Sequence, residues 1–174
     1  MLIKFKNIDP KLGKNVLICD GAKIIGEVEI GDNSSIWYNC VLRGDVNFIR
    51  IGKNTNVQDL TMIHVWHREP NMPYSGFPAI IGDNVTIGHS CIIHACNIHD
   101  NCLIGMGSII MDGAEISSDS IVGAGSVVTK GKKFPPRSLI IGNPAKLIRE
   151  LRDDEVVEIA NSAKRYLEFA KDFY

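Results

Sequence analysis

A chain of 174 residues, 45% of them hydrophobic, is long enough for one domain with a continuous core and too short for two ordinary domains with a linker. A formal net charge of -1 without any Lys/Arg run argues against a nucleic-acid or anionic-membrane partner, so a small ligand is expected. No stretch reaches the roughly 20 apolar residues that span a bilayer, MLIKFKNIDP lacks the apolar core of a signal peptide, and five cysteines without CxxC spacing suit free thiols, so a cytoplasmic protein is expected.

Along the chain, Ile18, Ile24, Ile30, Ile36 and Leu42 follow one another at six-residue spacing, as do Ile51, Val57 and Ile63. The run resumes at Ile81, Ile87 and Ile93, steps by five to Ile98, and continues through Ile104, Ile110, Ile116, Val122 and Val128. Four positions after these aliphatics comes a small residue, among them Ala22, Ser34, Cys40, Thr55, Thr61, Cys91, Cys102, Ser108 and Ser126, a second inward column. Six is not a multiple of 3.6, and the glycine and asparagine content would weaken every helical turn, so short strands joined by turns remain. Three hexapeptides close one triangular coil, and stacked coils bury the aliphatic columns while each strand pairs with those above and below. This pattern resembles that of left-handed β-helices. The expected fold is all-β: a left-handed parallel β-helix over residues 1–150 with a C-terminal α-helix, residues 151–174, packing on the solenoid.

Two insertions interrupt the repeat. Three extra residues lie within RGDVNFIR, between Leu42 and Ile51, and HVWHREPNMPYSGFPAI predicts a protruding loop over about 65–79. From Asp153, which can cap it, helical spacing runs through Val156, Ile159, Ala160, Ala163, Tyr166, Leu167 and Ala170. Such a helix would shield open coil edges or lie along the solenoid's side.

If both insertions bulge outwards, Ile51 and Ile81 share a first face, Val57 and Ile87 a second, and Leu42, Ile63 and Ile93 a third. Arg43, His64 and His94 each follow a third-face aliphatic, so they form a column with strand spacing of about 4.8 Å. Imidazoles on adjacent rungs can share a metal that sits about 2.0–2.1 Å from each nitrogen. His89 lies above Asp59 on another side of the triangle, where only a neighbouring solenoid can bring it to that pair, so a homotrimer is expected. Arg43 of one subunit could then meet Asp59 of the next. His99 receives no role, and Cys40, Cys91, Cys96 and Cys102 read as core residues rather than ligands. Trp37, Tyr38, Trp66, Tyr74 and Phe77 read as packing residues at subunit seams or in the loop.

RGD at 43–45, NVQD at 56–59, IH at 63–64, IGHSCIIHACNI at 87–98, GMGS at 105–108 and GNPAK at 142–146 together resemble the γ-class carbonic anhydrase family over nearly the whole chain. The resemblance implies metal-dependent, reversible hydration of CO₂ to bicarbonate, with His64 and His94 from one subunit and His89 from the next as metal ligands. It implies Zn²⁺, with Fe²⁺ or Co²⁺ equally suited to three histidines. Arg43 and Asp59 match the family's interfacial pair, Asp45 supports that network, Gln58 matches the side chain that orients water or substrate, Asn56 a pocket asparagine and Tyr166 the pocket tyrosine. Val46 and His67 stand where the archetype has catalytic glutamates, which leaves His67, and after it Glu69, as the proton relay. Two other readings stay open: a hexapeptide acyltransferase using a coenzyme A thioester with one histidine as base, and a metal-binding or assembly homologue without fast turnover.

Overall fold

The computed structural model describes residues 1–72 and 76–173. Short strands stack in parallel on three faces of a left-handed β-helix. On the second face Ser35–Ile36, Asn56–Val57, Thr86–Ile87, Leu103–Ile104 and Ile121–Val122 pair in that order. On the third, Val41 and Leu42 pair with Met62 and Ile63, and these continue through Ile92–His94, Ile109–Ile110 and Val127–Val128. The first carries Ala79–Ile81, Asn97–Ile98, Glu115–Ile116 and Lys133–Phe134 beneath Ile49–Ile51. Two long strands, Lys23–Ile30 and Val41–Ile51, turn the corner between the third and first faces.

All the expected aliphatics are buried except Ile18, which is partly covered because it lies in an end coil. The small inward residues are buried as well, and their hydroxyls solve a problem the turns create. Each turn leaves carbonyl oxygens inside, where an unpaired acceptor is costly. Ser34 Oγ donates to Gly52 O at 2.8 Å, Thr55 Oγ1 to Gly82 O at 2.8 Å and Thr61 Oγ1 to Gly88 O at 3.0 Å, so each coil ties itself to the next. At another corner Asn33, Asn54, Asn84 and Asn101 hold left-handed backbone with φ of 54–60°, a conformation asparagine tolerates well. Neighbouring amides of that column are linked side chain to side chain.

Both insertions bulge. Gly26 pairs with Gly44 but Val28 with Ile49, so the three extra residues are absorbed between Gly44 and Ile49. Trp66 N donates to Phe77 O at 2.9 Å across the neck of the loop, whose expected last residue, Ala79, already belongs to a strand. The pairing of Ile51 with Ile81 survives it.

Past the last coil the chain forms an antiparallel hairpin, Ser138–Gly142 with Ala145–Glu150, absent from the sequence-based expectation. It pairs with Ile121–Val122 and covers that strand edge. Helix α1 (Asp153–Lys171) lies along the second face against Ser35–Ile36, Asn56–Val57 and Thr86–Ile87. Its cap differs from expectation. Arg152 is the N-cap and Asp153 the first helical residue, because Glu155 Oε2 reaches back to the Arg152 N–H at 2.9 Å while Asp153 is drawn to Arg137. Ala160 is exposed, and Ser162 takes its place on the buried face, where Thr86 Oγ1 donates to Ser162 Oγ. Among the described residues no helix is long and apolar enough to cross a membrane.

Candidate metal centre

The pairing of Ile63 with Ile93 stacks His64 directly over His94. Strand alternation turns the isoleucines inwards and the histidines outwards. The rings lie 5.2 Å apart between centroids, and His64 Nδ1 faces His94 Nε2 at 3.2 Å. Each outer nitrogen is held by a carboxylate: His64 Nε2 by Asp45 Oδ1 at 2.9 Å, and His94 Nδ1 by Asp112 Oδ1. Arg43 closes on the other oxygen of Asp45. Burial raises the Asp45 pKa, but the hydrogen bonds from His64 and Arg43 outweigh it and hold the carboxyl below its usual range.

That wiring fixes the tautomers. A carboxylate accepts only, so Asp45 and Asp112 each take a ring N–H, and the two facing nitrogens are both left as lone pairs. Lone pairs 3.2 Å apart repel unless a cation lies between them. Burial, only partly opposed by the Asp45 hydrogen bond, lowers the His64 pKa below the ordinary imidazole value, which favours the neutral ring a metal needs. A tetrahedral ion about 2.0–2.1 Å from two ligands sets them about 3.3 Å apart, close to the observed separation. The donor set therefore fits a divalent metal.

His89 stands elsewhere. Val57 pairs with Ile87, which puts Asp59 and His89 in one column at the corner between the second and third faces, with His89 Nδ1 2.8 Å from Asp59 Oδ2. Here too a carboxylate takes the Nδ1–H, so Nε2 keeps its lone pair, on a ring whose side chain is 46% exposed. Within one chain His89 does not join His64 and His94; among the described residues no group of three or more His, Cys, Asp or Glu could hold a metal ion.

The other expected residues divide between the two places. Gln58 and Asn56 are buried under α1, where Gln58 Nε2 donates to Asn56 Oδ1 at 3.2 Å and Asn56 Nδ2 to Thr86 Oγ1 at 2.9 Å. Tyr166 packs edge-on against Trp37, and burial, together with the nearby Asp59 carboxylate, pushes its phenol pKa up. In the chain Arg43 meets Asp45 and not Asp59. His67 lies exposed on the loop, 2.8 Å from Glu69 and stacked on Trp66, without a hydrogen bond to His64 or His94. Val46 is exposed. His99 pairs with Glu115, and all five cysteines are buried free thiols. Trp37 is buried with Nε1 on Ser35 Oγ, while Tyr38 is exposed and Phe77 is partly buried beside Gly113. Tyr74 lies outside the described residues.

Asp112 was missed by the sequence reading. The signal was present: Ile110 continues the third-face column below Ile93, so a carboxylate two positions after it falls one rung below the His94 ring.

The three faces differ chemically. On the first, Lys11 and Arg50 pair with Glu29, and Lys133 and His99 with Glu115, a ladder suited to water. The second is covered by α1 over Ser35–Ile36, Asn56–Val57 and Thr86–Ile87. On the third, an outward column of Val41, Met62, Ile92, Ile109 and Val127 runs beside the two histidines, each only partly covered or exposed.

Comparison with known proteins matches this architecture. The family described as bacterial transferase hexapeptide (six repeats) matches residues 9–44 and 95–130, and the hexapeptide repeat of succinyl-transferase matches residues 78–98. The chain is 45% identical over 162 residues to gamma carbonic anhydrase 2, mitochondrial, of Arabidopsis thaliana, covering 93% of the chain but 58% of that relative's length. It is 45% identical over 168 residues to a carbonic anhydrase of Geobacillus kaustophilus, covering 97% of the chain and 88% of the relative. A solved hexapeptide transferase family protein from Anaplasma phagocytophilum superposes with a TM-score of 0.92 at 39% identity, covering 100% of this chain and 98% of that one.

Proposed function

Since the chain belongs to the γ-class carbonic anhydrase family, we propose that it catalyses reversible hydration of CO₂ at metal centres built between the subunits of a homotrimer. The observation that carries this reading is the pair of lone-pair nitrogens on His64 and His94, each backed by a carboxylate. His64 and His94 of one copy and His89 of a second would hold the ion, with Zn²⁺, Fe²⁺ or Co²⁺ all suited to three imidazoles. When bound, such an ion supplies the Lewis acidity that makes water nucleophilic near neutral pH.

The chain's own residues do the rest. Asp45, Asp112 and Asp59 fix ring orientation and raise ligand basicity. Arg43 keeps Asp45 ionised and in position. Asn56 occupies the amide nitrogen of Gln58, which leaves the Gln58 oxygen as the acceptor that orients water. Tyr166, kept neutral, offers a hydroxyl donor at the same corner. His67, steadied by Glu69, carries protons from the site to buffer.

Threefold assembly is supported by two features: among the described residues His89 joins no metal-holding group with His64 and His94, and the third face presents an apolar column that is only partly covered and, at Ile92, exposed. Cyclic packing gives three equivalent sites. Acyl transfer from coenzyme A needs a single histidine base and does not account for the paired lone pairs. Stopped-flow CO₂ hydration by metal-loaded protein tests the proposal beside His94→Ala and an acetyl-CoA turnover assay. The wild type should hydrate CO₂ and the variant should fall to the buffer rate. Equal rates in both, or thioester turnover without hydration, would overturn it.

A further inference from the structure

The corner between the second and third faces is a column of left-handed backbone: Gly21 (φ 77°), Asn39 (58°), Leu60 (62°), Ser90 (59°), Gly107 (69°) and Gly125 (68°). The stack imposes it, since Leu60 N donates to Tyr38 O at 3.0 Å, Ser90 N to Asp59 O at 2.9 Å and Gly107 N to His89 O at 2.8 Å. Glycine adopts this conformation freely and asparagine readily, whereas a bulky L side chain is strained there. Every other member of the column is Gly, Asn or Ser; Leu60 alone is large and apolar. It also gains little from its own chain, being 62% exposed. A strained residue with little intrachain packing calls for a reason outside the chain.

Its surroundings name the occupant. Leu60 follows Asp59, the partner of His89; Ile92 (40% exposed) belongs to the next rung and Met106 (60% exposed) to the one after it, beside His89. We propose that Leu60 is the apolar anchor of the seam with a second copy of this chain, seated against the outward Met62 and Ile92 column of that copy's third face. The inference rests on the proposed assembly, in which the corner bearing His89 must approach the face bearing His64 and His94. Wherever His89 goes, the residue after Asp59 goes with it, and the surface it meets there is apolar. Burying one leucine at each seam would offset its backbone strain, and a leucine at such a corner reads as a contact selected for association.

Sedimentation velocity over a dilution series of the full, metal-loaded chain tests this on the wild type and on Leu60→Gly, Leu60→Asn and Leu60→Met. Gly and Asn relax the backbone and remove the apolar contact, so both should weaken association by about tenfold or more. Their dissociated protomers should melt no lower than the wild-type protomer, which separates lost association from lost folding. Leu60→Met keeps an apolar side chain and should associate nearly as the wild type does. Variants with Gly and Asn that assemble as tightly as the wild type would overturn the role of Leu60 while leaving the trimer standing. A wild type that stays monomeric at every concentration would bring down the assembly itself.

Discussion

Asp112→Ala removes the acceptor behind His94, and the structure sets the size of the effect. The Asp112 carboxylate side chain is 14% exposed, so its bond to His94 Nδ1 is largely shielded from water. A hydrogen bond to a charged group is worth about 1.5–3 kcal/mol and a neutral one about 1 kcal/mol. Asp112→Ala should therefore weaken metal binding roughly 10- to 150-fold, within the span expected for loss of an outer partner of a ligand histidine. Asp112→Asn retains a neutral acceptor and should lose roughly 2- to 30-fold. Competition against a chromophoric zinc chelator measures both. Asp119→Ala serves as control, because it removes a carboxylate bonded to Asn101 at a different corner. If Asp112→Ala held zinc within twofold of the wild type, the claim that the paired carboxylates set the ligand tautomers would be refuted.

Ile93 is fully buried between Ile63 and Ile110 in the third-face stack, so Ile93→Ala should destabilise the protomer by about 2–5 kcal/mol, read as a lower urea midpoint. Ellman's reagent at pH 8 should find no reactive thiol in the native protein and five after unfolding, since every cysteine is buried. Burial pushes the Cys40 and Cys102 thiols up to about 12 and Cys91 up to about 11. A raised folded-state pKa contributes stability that is complete below the unfolded thiol value of about 8.5 and drains away as pH rises through the folded values. The urea midpoint should thus fall between pH 9 and 11, and Cys40→Ala should flatten that decline.

Six-residue spacing made the solenoid legible because every coil repeats the same packing problem and solves it with the same residue types. Counting hexapeptides also assigned His64 and His94 to adjacent rungs, and the pairing of Ile63 with Ile93 is that assignment in the structure. Where the period failed, so did the reading. The final hairpin lies beyond the last hexapeptide, where local sequence alone decides whether the chain ends a coil or turns back. The helix cap was misplaced because Asp153 had a rival invisible in local propensity, the Arg137 guanidinium from the last coil. Ser162 escaped notice because a hydroxyl breaks the apolar stripe, yet it meets Thr86 on the face beneath. Asp112 was readable by the same column arithmetic that placed the histidines, had polar neighbours been followed one coil further.

The central claim is that one metal centre draws on two copies of the chain, and mixing complementary variants tests it most directly. His89→Ala keeps the His64 and His94 pair, whereas the double variant His64→Ala/His94→Ala keeps His89; neither alone should bind zinc tightly. Refolded together at equal amounts, random cyclic trimers should regain about one quarter of the wild-type sites, since each mixed trimer has one seam where the surviving halves meet. Tight zinc binding by either variant alone, or none in the mixture once mixed trimers are shown to form, would contradict a centre shared across the seam.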